Sequence, residues 1–104
     1  MIVDPAAERP DATTIASELA GLLASGKPIP LLKNYVRVSK EDAVDLVDGL
    51  LAIAPLTGHP KLRDIAAEID RELRAARQVP LTDNVRIRKE RAEDLAQRLR
   101  AAAS

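Results

Sequence analysis

Apolar residues recur at helical spacing in four stretches of this chain: Ile15, Leu19, Leu22 and Leu23; then Ala43, Leu46, Val47 and Leu50; then Leu62, Ile65, Ala66, Ile69 and Leu73; and finally Ala92, Leu95, Ala96 and Leu99. Spacings of three and four put each set on one face of a helix, which predicts helices over 13–25, 40–54, 60–76 and 89–102. Before the second and the fourth the pattern changes to strict alternation. Val36-Arg37-Val38 and Val85-Arg86-Ile87 turn their apolar residues one way and an arginine the other, as half-buried strands near 35–38 and 85–88 would. The end signals agree. Asp11 or Thr13 can cap the first helix, Gly26 and Pro28 stop it, Ser39 can cap the second, and Pro60 suits the first turn of the third.

The two helix–strand–helix stretches also match each other residue by residue. Ile15–Asn34 aligns with Ile65–Asn84 at a shift of 50. After one extra residue, Tyr35, the stretch Val36–Leu51 aligns with Val85–Arg100 at a shift of 49, and 15 of the 36 aligned pairs are identical. Matches at Pro30/Pro80, Asn34/Asn84 and Arg37/Arg86 in one register point to a duplicated unit. Strands this short are not stable alone, so the two are expected to pair with each other, antiparallel about a pseudo-twofold axis. The fold class that follows is mostly α: a tandem duplication of a helix–short strand–helix unit, with four helices around a small two-stranded antiparallel ribbon. One domain of 1–104 is expected, with a flexible N-terminus at 1–10 and units at 11–56 and 57–104.

Pro30-Leu31, Val36–Val38, Lys40-Glu41, Leu46, Leu50 and Pro55 form a pattern that returns as Pro80-Leu81, Val85–Ile87, Lys89-Glu90, Leu95 and Leu99. It resembles a segment of actinobacterial DivIVA-related septation proteins of the SepIVA type, in which a helix leads through a VPL-like stretch and a short V-x-V strand into a leucine helix. The resemblance covers roughly 28–55 and 79–100. This chain departs from the pattern by carrying two copies, without the long coiled coil on which such proteins' scaffolding depends. The resemblance implies an adaptor or accessory role in bacterial cell division or envelope growth.

Composition changes the picture in four ways. Tyr35 is the only aromatic residue, so the core has to be built from Leu, Ile, Val and Ala. The absence of cysteine removes disulfides and thiolate metal sites. No apolar run is long enough to span a bilayer, and MIVDPAAERP lacks the basic-then-apolar order of an export signal, so a cytoplasmic location is expected. The formal charge is zero overall, yet residues 1–60 carry a net −3 and residues 61–104 a net +3.

Candidate chemistry is sparse. His59 is the only histidine, the serines have no glycine elbow or relay partner, and no loop is built to cradle phosphate. A non-catalytic protein-binding module is therefore expected, with no cofactor, metal or small-molecule substrate. The acidic stripe Glu41, Asp45 and Asp48 lies on one helix and suits electrostatic docking better than metal binding, which wants oxygens converging from a loop. Val44 and Leu51 widen the apolar face of that helix where the second unit has Glu93 and Arg100; this strip is either an interface or deeper burial. The partner is then another protein or a second copy of the chain, as a homodimer. The alternative is nucleic-acid binding through Arg86, Arg88, Lys89, Arg91, Arg98 and Arg100, although acids are interleaved with these residues and no stacking aromatic accompanies them.

Overall fold

A computed structural model of the chain describes residues 11–103. The first helix, α1 (Ala12–Ala24), begins where the Asp11 carboxylate accepts from the Thr14 amide at 2.7 Å. That bond and the Thr13 hydroxyl hold the Asp11 carboxyl below its ordinary pKa. β1 (Lys27–Ile29) turns through Pro30-Leu31 into β2 (Leu32–Ser39), and Ser39 caps α2 (Lys40–Ile53) by accepting from the Asp42 amide. A 3-10 turn over Ala54–Thr57 leads to α3 (Pro60–Ala75), which has Pro60 in its first turn. β3 (Asn84–Arg88) and α4 (Lys89–Ala103) complete the chain. The four helices fall within a residue or so of the periods that predict them. The expectation for residues 1–10 lies outside the described residues.

The two alternating segments pair antiparallel, with Val36 opposite Ile87, Arg37 opposite Arg86 and Val38 opposite Val85. The pair Arg37/Arg86 is its own counterpart at a shift of 49, so the ladder reads the same from either end. The ribbon is not two-stranded, however: the order is β1-β2-β3. β1 escapes sequence reading because three residues containing a proline carry no period. Pro28 is tolerated because β1 lies on the sheet edge, where its missing N–H costs no ladder bond. The second half only sketches the equivalent strand, with Gln78 bridging Val85 and the Arg86 amide donating to the Arg77 carbonyl at 3.0 Å. Asn84, opposite Ser39, takes the ladder place that Tyr35 holds opposite Arg88, so the extra residue of the first half is absorbed in its hairpin.

Val36, Val38, Val85 and Ile87 are buried on one face of the sheet, beneath the helices. α1 packs chiefly on α4, and α2 on α3. Each half's first helix therefore lies against the other half's last, and a single apolar cluster runs through both. Buried alanines (Ala12, Ala16, Ala20, Ala43, Ala66, Ala92 and Ala96 among them) let these helices approach closely without any aromatic residue. Gly26 serves the same end at the sheet: a Cβ there would lie 2.8 Å from Cγ2 of Val36. The halves are also joined at a helix end, where Asp83 accepts from the Lys40 amide through its carbonyl at 3.1 Å and from the Glu41 amide through its carboxylate at 3.3 Å. Leu46, expected in the core beside Leu50, is only partly buried, because its side of α2 looks toward an open groove against α1.

Leu31 and Leu81 occupy matched turn positions with φ of 71° and 66°, and both are fully exposed. Left-handed backbone costs a non-glycine residue roughly 1–2 kcal/mol, and neither leucine recovers that by burial.

Two outcomes follow from this packing. Leu50 and Leu95 are both fully buried, so Leu50→Ala and Leu95→Ala should each cost about 2–5 kcal/mol in denaturant titration. Leu31→Gly and Leu81→Gly, by contrast, should leave the melting temperature unchanged or raise it, because glycine relieves the left-handed strain at no loss of packing.

Candidate functional site

His59 stands at the N-terminal cap position of α3 without a side-chain capping bond. Ser39 is committed to capping α2, and the Ser25 hydroxyl turns back to the Leu22 carbonyl. Among the described residues no three acidic or imidazole groups converge as a metal site would require. The polar chemistry lies instead on three surfaces.

The first is the groove between α3 and α4. Glu68 receives Arg98 at 2.7 Å on one oxygen and Arg91 on the other. Arg91 also reaches Glu72 at 3.4 Å and Asp94 at 3.6 Å, and Arg98 reaches Asp94 at 3.7 Å. Hydrogen bonds from Arg98 first and Arg91 second hold the Glu68 carboxyl down at about 2. The same bonds raise both guanidinium pKa values. Two of the six cations named as nucleic-acid contacts are thereby engaged within the fold. Arg88, Lys89 and Arg100 are exposed, while Arg86 lies half-buried on the sheet.

The second surface occupies the matched place in the first half, between α1 and α2. A groove of about 430 Å³ is lined by Glu18, Leu22, Asp42, Asp45 and Leu46, the counterparts of Glu68, Glu72, Arg91, Asp94 and Leu95. Gly49 stands where the second half has Arg98. Both clamping arginines are thus replaced, by an aspartate and a glycine. Among the described residues Glu18, Asp42 and Asp45 enter no ion pair. Asp45 continues into the exposed stripe of Glu41 and Asp48. Val44 and Leu51 lie on the opposite flank of α2, partly buried and packed against the core. The structure thus brings Asp45 together with Leu22 and Leu46, and sets Val44 and Leu51 apart from them.

The third surface is the outer face of the sheet. Lys27 is opposite Arg37, Arg37 opposite Arg86, and Arg86 opposite Arg77 across the partial fourth strand. Residues directly opposed in a ladder share a face, so four cations stand in one row. The Arg86 guanidinium lies 5.3 Å from the centre of the Tyr35 ring, in cation–π range. Alternation in the sequence places Arg37 and Arg86 on this face; Lys27 and Arg77 are recognisable there only once the register is known.

No protein-family model matches the chain, and no curated protein or solved structure does.

The Glu68 cluster sets a pH dependence. A carboxyl whose folded pKa is depressed contributes stability that is complete above its unfolded value and is lost as pH falls toward the folded one. Here that window runs from about 4.5 down to about 2. Melting temperature should fall across it, and Glu68→Gln should flatten that part of the profile while lowering the value at pH 7.

Proposed function

We propose that this chain is a non-catalytic protein-interaction module, an adaptor that docks a basic partner segment on the α1/α2 side of its first half. The observation that carries the reading is the difference between matched grooves on a shared backbone plan. In the second half Arg91 and Arg98 close the groove over Glu68, Glu72 and Asp94. In the first half Glu18 and Asp45 keep two of these acids, Leu22 replaces the third, and neither arginine is present, while Leu22 and Leu46 lie only partly covered beside the acids. Unneutralised carboxylates over half-covered leucines favour a partner offering guanidinium groups and an apolar contact. The acidic crest Glu41, Asp45 and Asp48 extends the attraction, with Val44 and Leu51 supplying apolar area on the far flank of α2. The partner is a second protein or another copy of the chain. The matched halves support an origin by duplication, after which one groove closed and the other stayed open. The resemblance to septation proteins supports a place in bacterial cell division or envelope growth, in the cytoplasm.

Nucleic-acid binding through the second half is weakly supported, because Arg91 and Arg98 are spent on Glu68.

Writing the second half's clamp into the first tests the reading. Asp42→Arg with Gly49→Arg places arginines where Arg91 and Arg98 stand, and a Cβ at Gly49 meets only Cδ1 of Ile15 at 3.6 Å, an ordinary contact. Replacing a helical glycine also gains up to about 1 kcal/mol. The double variant should melt higher than the wild type. Used as bait against extract of the native host, it should lose proteins that the wild type retains. Retention of the same proteins by both would refute the docking surface.

A further inference from the structure

We propose that the outer face of the sheet is a second binding site, for an acidic peptide segment of another protein, with carboxylates held by the guanidinium groups of Arg37 and Arg86. This site adjoins the α1/α2 groove only at Leu22 and does not rest on the reading given to that groove.

Neighbouring strands lie about 4.8 Å apart, so the row Lys27, Arg37, Arg86 and Arg77 presses like charges together across three successive gaps. Like charges directly opposite in a ladder destabilise it. Register asks for polar residues at these positions but not for cations throughout, since a threonine or an oppositely charged residue would serve the outer face with less repulsion. Nor are they relieved: among the described residues none of Lys27, Arg37, Arg77, Arg86 and Arg88 enters an ion pair. The Nε of Arg37 is in addition buried without a hydrogen-bond partner, a donor left unsatisfied in the free protein. An oxyanion seated against that guanidinium would neutralise the row.

The face carries two such seats. One depression of about 310 Å³ is lined by Lys27, Arg37, Ser39 and Asn84, with Leu22 of α1 at its helix margin. Another of about 240 Å³ is lined by Arg77, Arg86, Arg88 and Tyr35, with Glu72 at its helix margin already paired with Arg91. Arg37 and Arg86 hold the same place in each, on either side of the pseudo-twofold axis. Three of the four residues in the row are arginines, whose planar fork grips a carboxylate or phosphate through two parallel bonds.

Carboxylate is favoured over nucleic-acid phosphate by what surrounds the row. The chain has zero formal charge and a pI near 6.6, far from the basic balance of a nucleic-acid binder. With no net charge, the chain lacks the long-range attraction on which a polyanion relies. Tyr35 is a single ring with Arg86 over one side, whereas strand binding through bases draws on several stacking aromatics. A short acidic segment needs only local contact with two seats.

The probe is a fluorescein-labelled twelve-residue peptide of alternating glutamate and serine, titrated with the full chain at low salt and followed by anisotropy. Binding is expected, weakening as salt rises, and absent when the glutamates are replaced by glutamine. Arg37→Gln with Arg86→Gln should weaken it at least tenfold while melting no lower than the wild type, because like-charge opposition is relieved. The corresponding lysine pair should fall between the two. Asp42→Arg with Gly49→Arg should leave peptide binding unchanged, which separates this site from the groove. The proposal is overturned if the glutamate peptide does not bind or if it binds the glutamine pair equally well. Tighter binding of a twelve-nucleotide single strand or of anionic vesicles in the same buffer would also overturn it. So would self-association that the glutamine pair abolishes, which would make the acidic segment the chain's own.

Discussion

The pairing of β2 with β3 is the interaction on which the rest of the molecule depends. Val36, Val38, Val85 and Ile87, two from each half, form the apolar floor beneath the helices, and neither strand could present its share alone. The register is enforced from both sides of the sheet. A one-residue slip of either strand would turn its two apolar residues outward and drive its arginine into a core in which no polar residue is buried among the described residues. An uncompensated buried charge costs several kcal/mol, a large part of the stability of a domain this size. The arginines thus specify the fold by excluding its nearest competitor. The same pairing then opposes them across the outer face, so one constraint creates the core and an unneutralised surface together.

Crosswise helix packing follows from that pairing. With α1 on α4 and α2 on α3, each half's helices are covered chiefly by the other half's, and one apolar cluster joins them. What the sequence makes legible tracks how local each determinant is. Helix positions depend on one period and on caps such as Asp11 and Ser39, all within a few residues, and they are readable. The antiparallel pairing is readable because the alternation occurs twice. β1 is not, because Lys27–Ile29 is a strand only by virtue of lying beside an extended β2. The capping of α2 by Asp83 spans 42 residues and leaves no local trace. Leu46 shows the limit of periodicity: spacing says which residues share a side of the helix, and only packing says where the cover ends. The left-handed turns at Leu31 and Leu81 run against the residue type that such backbone favours.

The candidate surfaces were legible in a different way. The acidic stripe and the basic residues can be named from sequence, but which charges are spent cannot. Arg91 and Arg98 look as available as Arg86 until α3 brings Glu68 between them. Lys27 and Arg77 lie apart from any basic cluster in the sequence and join one only through the ladder. Matched positions of the two halves divide into those that keep the same residue, such as Glu18/Glu68 and Asp45/Asp94, and those that differ, such as Asp42/Arg91 and Gly49/Arg98.

That separation bears on how recognition works in a neutral chain. The acids of α2 point out from the helix layer and the arginines of β2 and β3 point out from the sheet layer, with the apolar core between them. At physiological ionic strength, charges more than about 8 Å apart are largely screened from one another. Each face is therefore felt by what touches it rather than by what approaches from a distance, and the zero net charge hides two locally unbalanced surfaces. A fold that could satisfy its charges internally, as the Glu68 cluster does, leaves them open elsewhere at some cost in stability. The open charges lie along the exposed stripe of α2 and across the outer face of the sheet, where no ion pair among the described residues balances them.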